Sequence, residues 1–307
     1  MIHTGQLAGF PAVTLSNGEV EAVFVPMLGG RLASLRAEGG RSWCYAPGDR
    51  LELWANRPGD PFTAGTFVGL DECLPTITAC RVDGRDLPDH GSCWNHPWEL
   101  LPGDGVGLGL DLPDLPLRLE RRATLRGTTL RLDYALTNRG DRPERWGWAF
   151  HGLLALAPGD RIELPGVESV RVAAQRLAEP LSLPTWTWPS PRPDLHLDTL
   201  DLGPGPTFLK AFAGPLEEGH AAVWARDGQG LALRWPAQTN PWCGLWLSRG
   251  GYLNQHTLAL EPTNLPCDSL EKAGDRAAVL DPGATATWWV EMCLTPPRND
   301  GHRSVGG

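Results

Sequence analysis

The chain has 307 residues, a formal net charge of −9 and 41% hydrophobic residues. That apolar content is enough for a sizeable core and excludes a disordered chain. Without any run of Lys and Arg it offers nothing to nucleic-acid phosphates, and no apolar run approaches the ~20 residues of a membrane helix.

In chain order, AVTLSNGEVEAVFVP places two apolar-rich runs around Asn17-Gly18, a pair that suits a type I′ hairpin. MLGGRLASL breaks at Gly29-Gly30 and restarts as a strand at Arg31. Residues 51–98 are loop-rich, with many Pro, Gly and Trp. LRLERRATL and TTLRLDYALTN read as strands, and the period of two in Leu130, Leu132, Tyr134 and Leu136 predicts one buried face. WGWAFHGLLAL is almost wholly apolar and predicts a strand buried on both faces, with His151 in its middle. The Pro-rich stretch 158–206 reads as a long connection, a candidate flap over a site. The last third supplies AAVWA, LALRW, CGLWLS, TLALEP and ATATWWVEMCL as further strands, with one turn of helix in DSLEKAG.

Gly and Pro, 37 and 29 residues, favour many short strands and turns over helices. The expectation is an all-β protein: one large antiparallel β-sandwich over residues 1–297, followed by a disordered tail at 298–307. No basic-then-apolar segment opens the chain, so no secretory leader is expected. The seven cysteines are odd in number, scattered and free of any C-x-x-C pair. They read as reduced thiols in a cytoplasmic protein.

Three places carry chemistry: Asp89-His90-Gly91 within LPDHGSCWNHPW, His151 in its apolar strand, and Glu261 at the end of TLALEP. Each has a bland reading. A histidine in an apolar strand is commonly a core residue bonded to backbone, and a strand-end glutamate commonly faces water. Three such groups in one chain weaken that reading, because buried ionisable groups are costly unless paired or used. A metal held by His90, His96 and His151 is the competing chemistry, but no carboxylate–histidine motif accompanies them, and no metal is expected. No G-x-S-x-G, G-x-G-x-x-G or phosphate-loop motif is present.

LGGRLASL, GLDECLPTI, PDHGSCWNHPW, FHGLLAL and LWLSRGGYLNQHTLALEPTN, in that order between about residue 20 and residue 294, resemble the aldose 1-epimerase (galactose mutarotase-like) superfamily. The resemblance implies the superfamily's β-supersandwich with a site on a concave face. It also implies cofactor-free interconversion of the α and β anomers of a free aldose, so the expected partner is a small monosaccharide. The family's two histidines map onto His90 and His151 and its catalytic glutamate onto Glu261. Arg31, Asp71, Glu72, Trp94 and Trp246 fall in or near segments that line such clefts and are expected to bind substrate. Where relatives often carry proline after the second histidine, this chain has Gly152. The family's further sugar-binding aspartate has no evident counterpart, since Asp227 sits in a D-G-Q-G turn.

The chemistry implied is ring opening, rotation about C1–C2 and reclosure. It needs a base at the C1 hydroxyl and an acid at the ring oxygen. Glu261 is expected as the base, His151 as the acid, and His90 as a group that holds or polarises the ring oxygen. Two other readings share the scaffold. A hexose-6-phosphate 1-epimerase would need convergent cations, for which Arg31, Arg57 and Arg81 are candidates. A non-catalytic carbohydrate sensor would need no acid–base pair.

Overall fold

A computed structural model describes residues 1–48, 51–199 and 201–297. Almost all of the regular structure is antiparallel β-sheet, as the sequence predicts. An eleven-stranded sheet begins at the edge strand Ile2–Leu7 and passes through Phe10–Ser16, Val20–Val25 and Arg31–Ala37 to the short strand Leu70–Cys73. Ala149–Ala155, His256–Thr263, Trp242–Arg249 and Thr207–Ala213 continue it, and Ser169–Arg176 and Thr185–Thr187 close its far side. Eight strands, with Thr285–Thr295 and Thr129–Asn138 at their centre, form the second large sheet.

Alternation decides how the sheets meet. In Thr129–Asn138 the side chains of Leu130, Leu132, Tyr134 and Leu136 are buried, while the residues between them are half-buried or exposed. Ala149–Leu154 is buried throughout, because this strand lies at the middle of its sheet with material on both faces. One hydrophobic cluster extends from Val13 to Leu294 and joins the two large sheets.

Local details depart from expectation in two places. The hairpin at Asn17-Gly18 forms, but only Gly18 takes a positive φ, 92°. Asn17 instead accepts the N–H groups of Glu19 and Val20 on its Oδ1, making a three-residue loop in place of a type I′ turn. The Pro-rich stretch 158–206 is not a loose flap: Ser169–Arg176 pairs along Thr207–Ala213 and belongs to the eleven-stranded sheet. The predicted helical turn is present as Leu270–Ala273, capped by the Ser269 side chain and ended by Gly274 at φ 56°. No helix among the described residues is long and apolar enough to cross a membrane. The expected tail at 298–307 lies outside the described residues.

Candidate active site

The central strands of the large sheet carry the site. His151 sits in register with Asp71 on one neighbour. On the other side, the pairing of Ala149 with Thr263 and of Leu153 with Ala259 brings His151 level with Glu261. Side chains that are level on adjacent strands share a face, so Asp71, His151 and Glu261 form one row across three strands.

His151 is held from behind. Its Nδ1 lies 2.8 Å from Asp71 Oδ1, and Arg31 Nη2 donates to Asp71 Oδ2 at 2.7 Å. Arg31 also donates to the Val68 carbonyl at 2.6 Å. Burial alone would raise the Asp71 carboxyl, but the Arg31 guanidinium and the His151 bond outweigh it and hold it below the usual carboxylate range. An ionised Asp71 can only accept, so Nδ1 of His151 carries the proton. Its Nε2 is left for whatever enters from the cavity.

His90 reaches the same place from a loop. The D-H-G corner is left-handed, with His90 at φ 59° and Gly91 at φ 65°. Only glycine fits after the histidine, because a Cβ there would lie 1.9 Å from the Leu74 carbonyl oxygen. His90 N–H donates to the Ile77 carbonyl at 2.6 Å, and Nδ1 lies 3.0 Å from Asp89 Oδ1. Asp89 Oδ2 accepts the Phe62 N–H, and the Phe62 ring stacks on the imidazole at 3.9 Å and 12°. Burial, only partly offset by the Asp89 bond, pushes His90 below the ordinary histidine value. The two imidazole centroids are 5.1 Å apart and nearly perpendicular, at 77°. Both rings are thus fixed through Nδ1 by a carboxylate.

Glu261 is 1% exposed and forms an ion pair through Oε2 with Lys210 Nζ. Lys210 lies 3.4 Å from Asp268 as well. Burial raises the Glu261 carboxyl, yet the charges of Lys210 and His151 prevail and leave it below its ordinary value. An open cavity of about 180 Å³ is lined by His90, His151, Glu261, Lys210 and Asp268 on its polar side. Phe62, Phe67, Leu153, Trp246 and Tyr252 form its apolar wall. Trp246 packs edge-on to Tyr252 at 5.2 Å and 87°. Gln255 is buried and also lines the cavity.

Of the residues singled out in the sequence, His90, His151, Glu261 and Trp246 meet in this cavity; Arg31, Asp71, Glu72 and Trp94 do not line it. Arg31 and Asp71 are buried behind His151, where Asp71 holds Nδ1 of the ring and Arg31 holds Asp71. Glu72 follows Asp71 on an extended strand and therefore points the other way. It is fully buried between the sheets, bonded by Arg121 at 2.9 Å, Tyr134 at 2.8 Å and Trp148 at 2.8 Å. Trp94, 1% exposed, packs edge-on to Phe62 at 5.0 Å and donates to the Asp89 carbonyl, supporting the histidine corner from below. His96 turns away to the Ser92 carbonyl and Asn95. Asp227 is exposed in its turn, as its sequence context suggests.

Lys210 and Asp268 were not singled out. TFLKAFA, an apolar strand with one charged residue at its centre, has the same signature that drew attention to His151. Lys210 is also one of only two lysines in the chain, the other being Lys272, so an arginine-rich protein places one of its two lysine side chains here.

This two-layer all-β architecture is shared with solved structures named as aldose 1-epimerase and galactose mutarotase-like proteins. The chain is similar to a candidate aldose 1-epimerase of Escherichia coli at 17% identity and a TM-score of 0.65, over 92% of this chain and 98% of that one. A galactose mutarotase-like protein of Clostridium acetobutylicum matches at 11% identity and a TM-score of 0.67, over 96% and 98% of the two chains. The galactose mutarotase related enzyme of Lactobacillus acidophilus matches at 15% identity and 0.68, over 94% and 98%. No family model matches the sequence. No curated protein matches it either.

Proposed function

We propose that this chain is an aldose 1-epimerase that exchanges the anomers of a neutral free monosaccharide without a cofactor. One observation carries the reading: a buried carboxylate and two imidazoles, from three separate parts of the chain, converge on one cavity with both Nε2 atoms uncommitted. Glu261 takes the C1 hydroxyl proton through Oε1, the oxygen that Lys210 does not hold. The bond between C1 and the ring oxygen breaks as Nε2 of protonated His151 delivers a proton to that oxygen. Rotation about C1–C2 and the reverse transfers close the other anomer. An imidazole that donates through Nδ1 accepts at Nε2 when neutral and donates there when protonated, so His151 suits both directions.

His90 has a different part. Its lowered basicity keeps it neutral near pH 7, with Nδ1–H on Asp89, so Nε2 accepts a hydrogen bond from a sugar hydroxyl. The apolar wall with Trp246 suits the C–H face of a pyranose. A neutral substrate fits better than a phosphate. Lys210, the one Lys or Arg on the described cavity wall, is bound by two carboxylates, while Arg31 is committed to Asp71. Arg57 and Arg81 are exposed and do not line the cavity. A cytoplasmic location agrees with seven cysteines that are all unpaired.

Polarimetry of freshly dissolved α-D-glucose and α-D-galactose, with and without protein, tests the proposal; hexose 6-phosphates form the second arm. Acceleration with a free sugar that disappears in Glu261→Gln and His151→Asn supports it. Acceleration with the phosphates alone transfers the reading to the sugar-phosphate epimerase. Sugar binding without any acceleration makes the protein a sensor.

A further inference from the structure

Lys210 has no part in the proton transfers just described, yet it is placed with unusual care. It lies in the middle of the apolar strand Thr207–Ala213, with a side chain 8% exposed and its ammonium 5.4 Å from the Phe212 ring. One strand, Trp242–Arg249, separates it from the strand of Glu261. At the position of that intervening strand paired with Glu261 stands Gly244, where a Cβ would lie 2.6 Å from Glu261 Oε2. The missing side chain opens the lane through which the lysine and the glutamate meet. The second partner, Asp268, is anchored by its backbone: its carbonyl accepts the N–H groups of Ile77 and Thr78. Ile77 in turn accepts the N–H of His90.

We propose that Lys210 is a positioning residue that clamps Oε2 of Glu261, turns Oε1 towards the cavity, and ties the glutamate strand to the loop segment that supports His90. The description of Glu261 as the base rests on the epimerase reading; the clamp itself does not. Two features of an ammonium suit the task. Its donors bond Oε2 of Glu261 while the ammonium lies at ion-pair distance, 3.4 Å, from Asp268, and its positive charge favours the ionised form of Glu261 over the acid. The groups that face Glu261 are Lys210, His151 and His90, with Cys73 and Cys243 close by; Asp268 reaches it through the lysine.

Carbon-13 NMR of protein labelled at the glutamate carboxyls, with Glu261→Gln to assign the resonance, reads the clamp without substrate. In the wild type the Glu261 midpoint is expected below that of the exposed glutamates. In Lys210→Met it moves up by ~1–3 pH units, the size expected when an opposite charge within bonding distance is removed. Lys210→Arg, which keeps the charge, restores most of the shift. The acid limb of kcat/KM for a free aldose moves with the same sign and size. A wild-type midpoint equal to that of exposed glutamates, or a midpoint unmoved in Lys210→Met, overturns the proposal. The wild-type titration decides the matter even if Lys210→Met fails to fold. A protein that accelerates no sugar but shows the full shift refutes the epimerase reading and leaves the clamp standing.

Discussion

Asp71→Asn separates a residue that contacts substrate from one that acts through another. Asp71 is 1% exposed and serves two partners, Arg31 on Oδ2 and His151 on Oδ1. Arg31 has only donors, so the new amide must turn its oxygen to Arg31 and its NH₂ to the histidine. That NH₂ needs a lone pair on Nδ1, which forces His151 into the opposite tautomer, with the proton on Nε2. The neutral ring then cannot accept at Nε2, and one of the two transfer directions is lost. General acid–base groups contribute ~10²–10⁴-fold, so kcat should fall by at least ~10²-fold.

Stability falls as well. The Arg31 guanidinium keeps the Val68 carbonyl but loses its carboxylate, and its Nε already lacks a hydrogen-bond partner. Removing one partner of a buried ion pair costs about 3–5 kcal/mol. Urea unfolding at unchanged slope measures the second effect and polarimetry the first. Nitrogen-15 correlation spectra of the histidines report the tautomer directly. A variant with a stability loss under about 1 kcal/mol, the ordinary range for an unremarkable substitution, and with the proton still on Nδ1 would refute the relay.

Tyr134→Phe removes one of three donors to the buried Glu72. Because Glu72 faces away from the cavity, stability should drop by about 1.5–3 kcal/mol while kcat/KM stays within twofold, measured by urea unfolding and polarimetry on one preparation. Trp246→Ala strips the aromatic wall and should raise KM by roughly 2–10-fold with kcat little changed, the size of one aromatic contact. His90 sets a pH dependence of stability. Its native value is lowered, so below pH ~6.5 the unfolded imidazole takes up a proton that the folded one refuses, and stability declines as pH drops. His90→Asn should flatten that slope in unfolding free energies measured between pH 5 and 7. Asp71 adds a separate acid limb: its lowered native value stabilises the fold fully above the ordinary carboxylate range, and the contribution is lost as pH falls through that native value. In Asp71→Asn that limb should disappear from unfolding curves measured below pH 4 or so.

What could be read from residues alone was whatever local chemistry determines. Alternation in LRLDYAL, the apolar run around His151 and the abundance of Gly and Pro each act within a few residues, so the all-β class and most strands were legible. His90, His151 and Glu261 were legible as charges or rings set in unexpected company. The adjacent acids Asp71 and Glu72 show where this ends. Strand geometry requires them to face opposite ways, but only the packed sheets decide which one meets His151 and which meets Arg121. Lys210 and Glu261 meet because two successive strand registers, Lys210 with Trp246 and Trp246 with Ala259, bring their rows together across a glycine. Such pairing joins residues far apart in the chain through backbone hydrogen bonds that any residue can make. No side-chain pattern encodes it, and the tertiary structure alone decides which charges become neighbours.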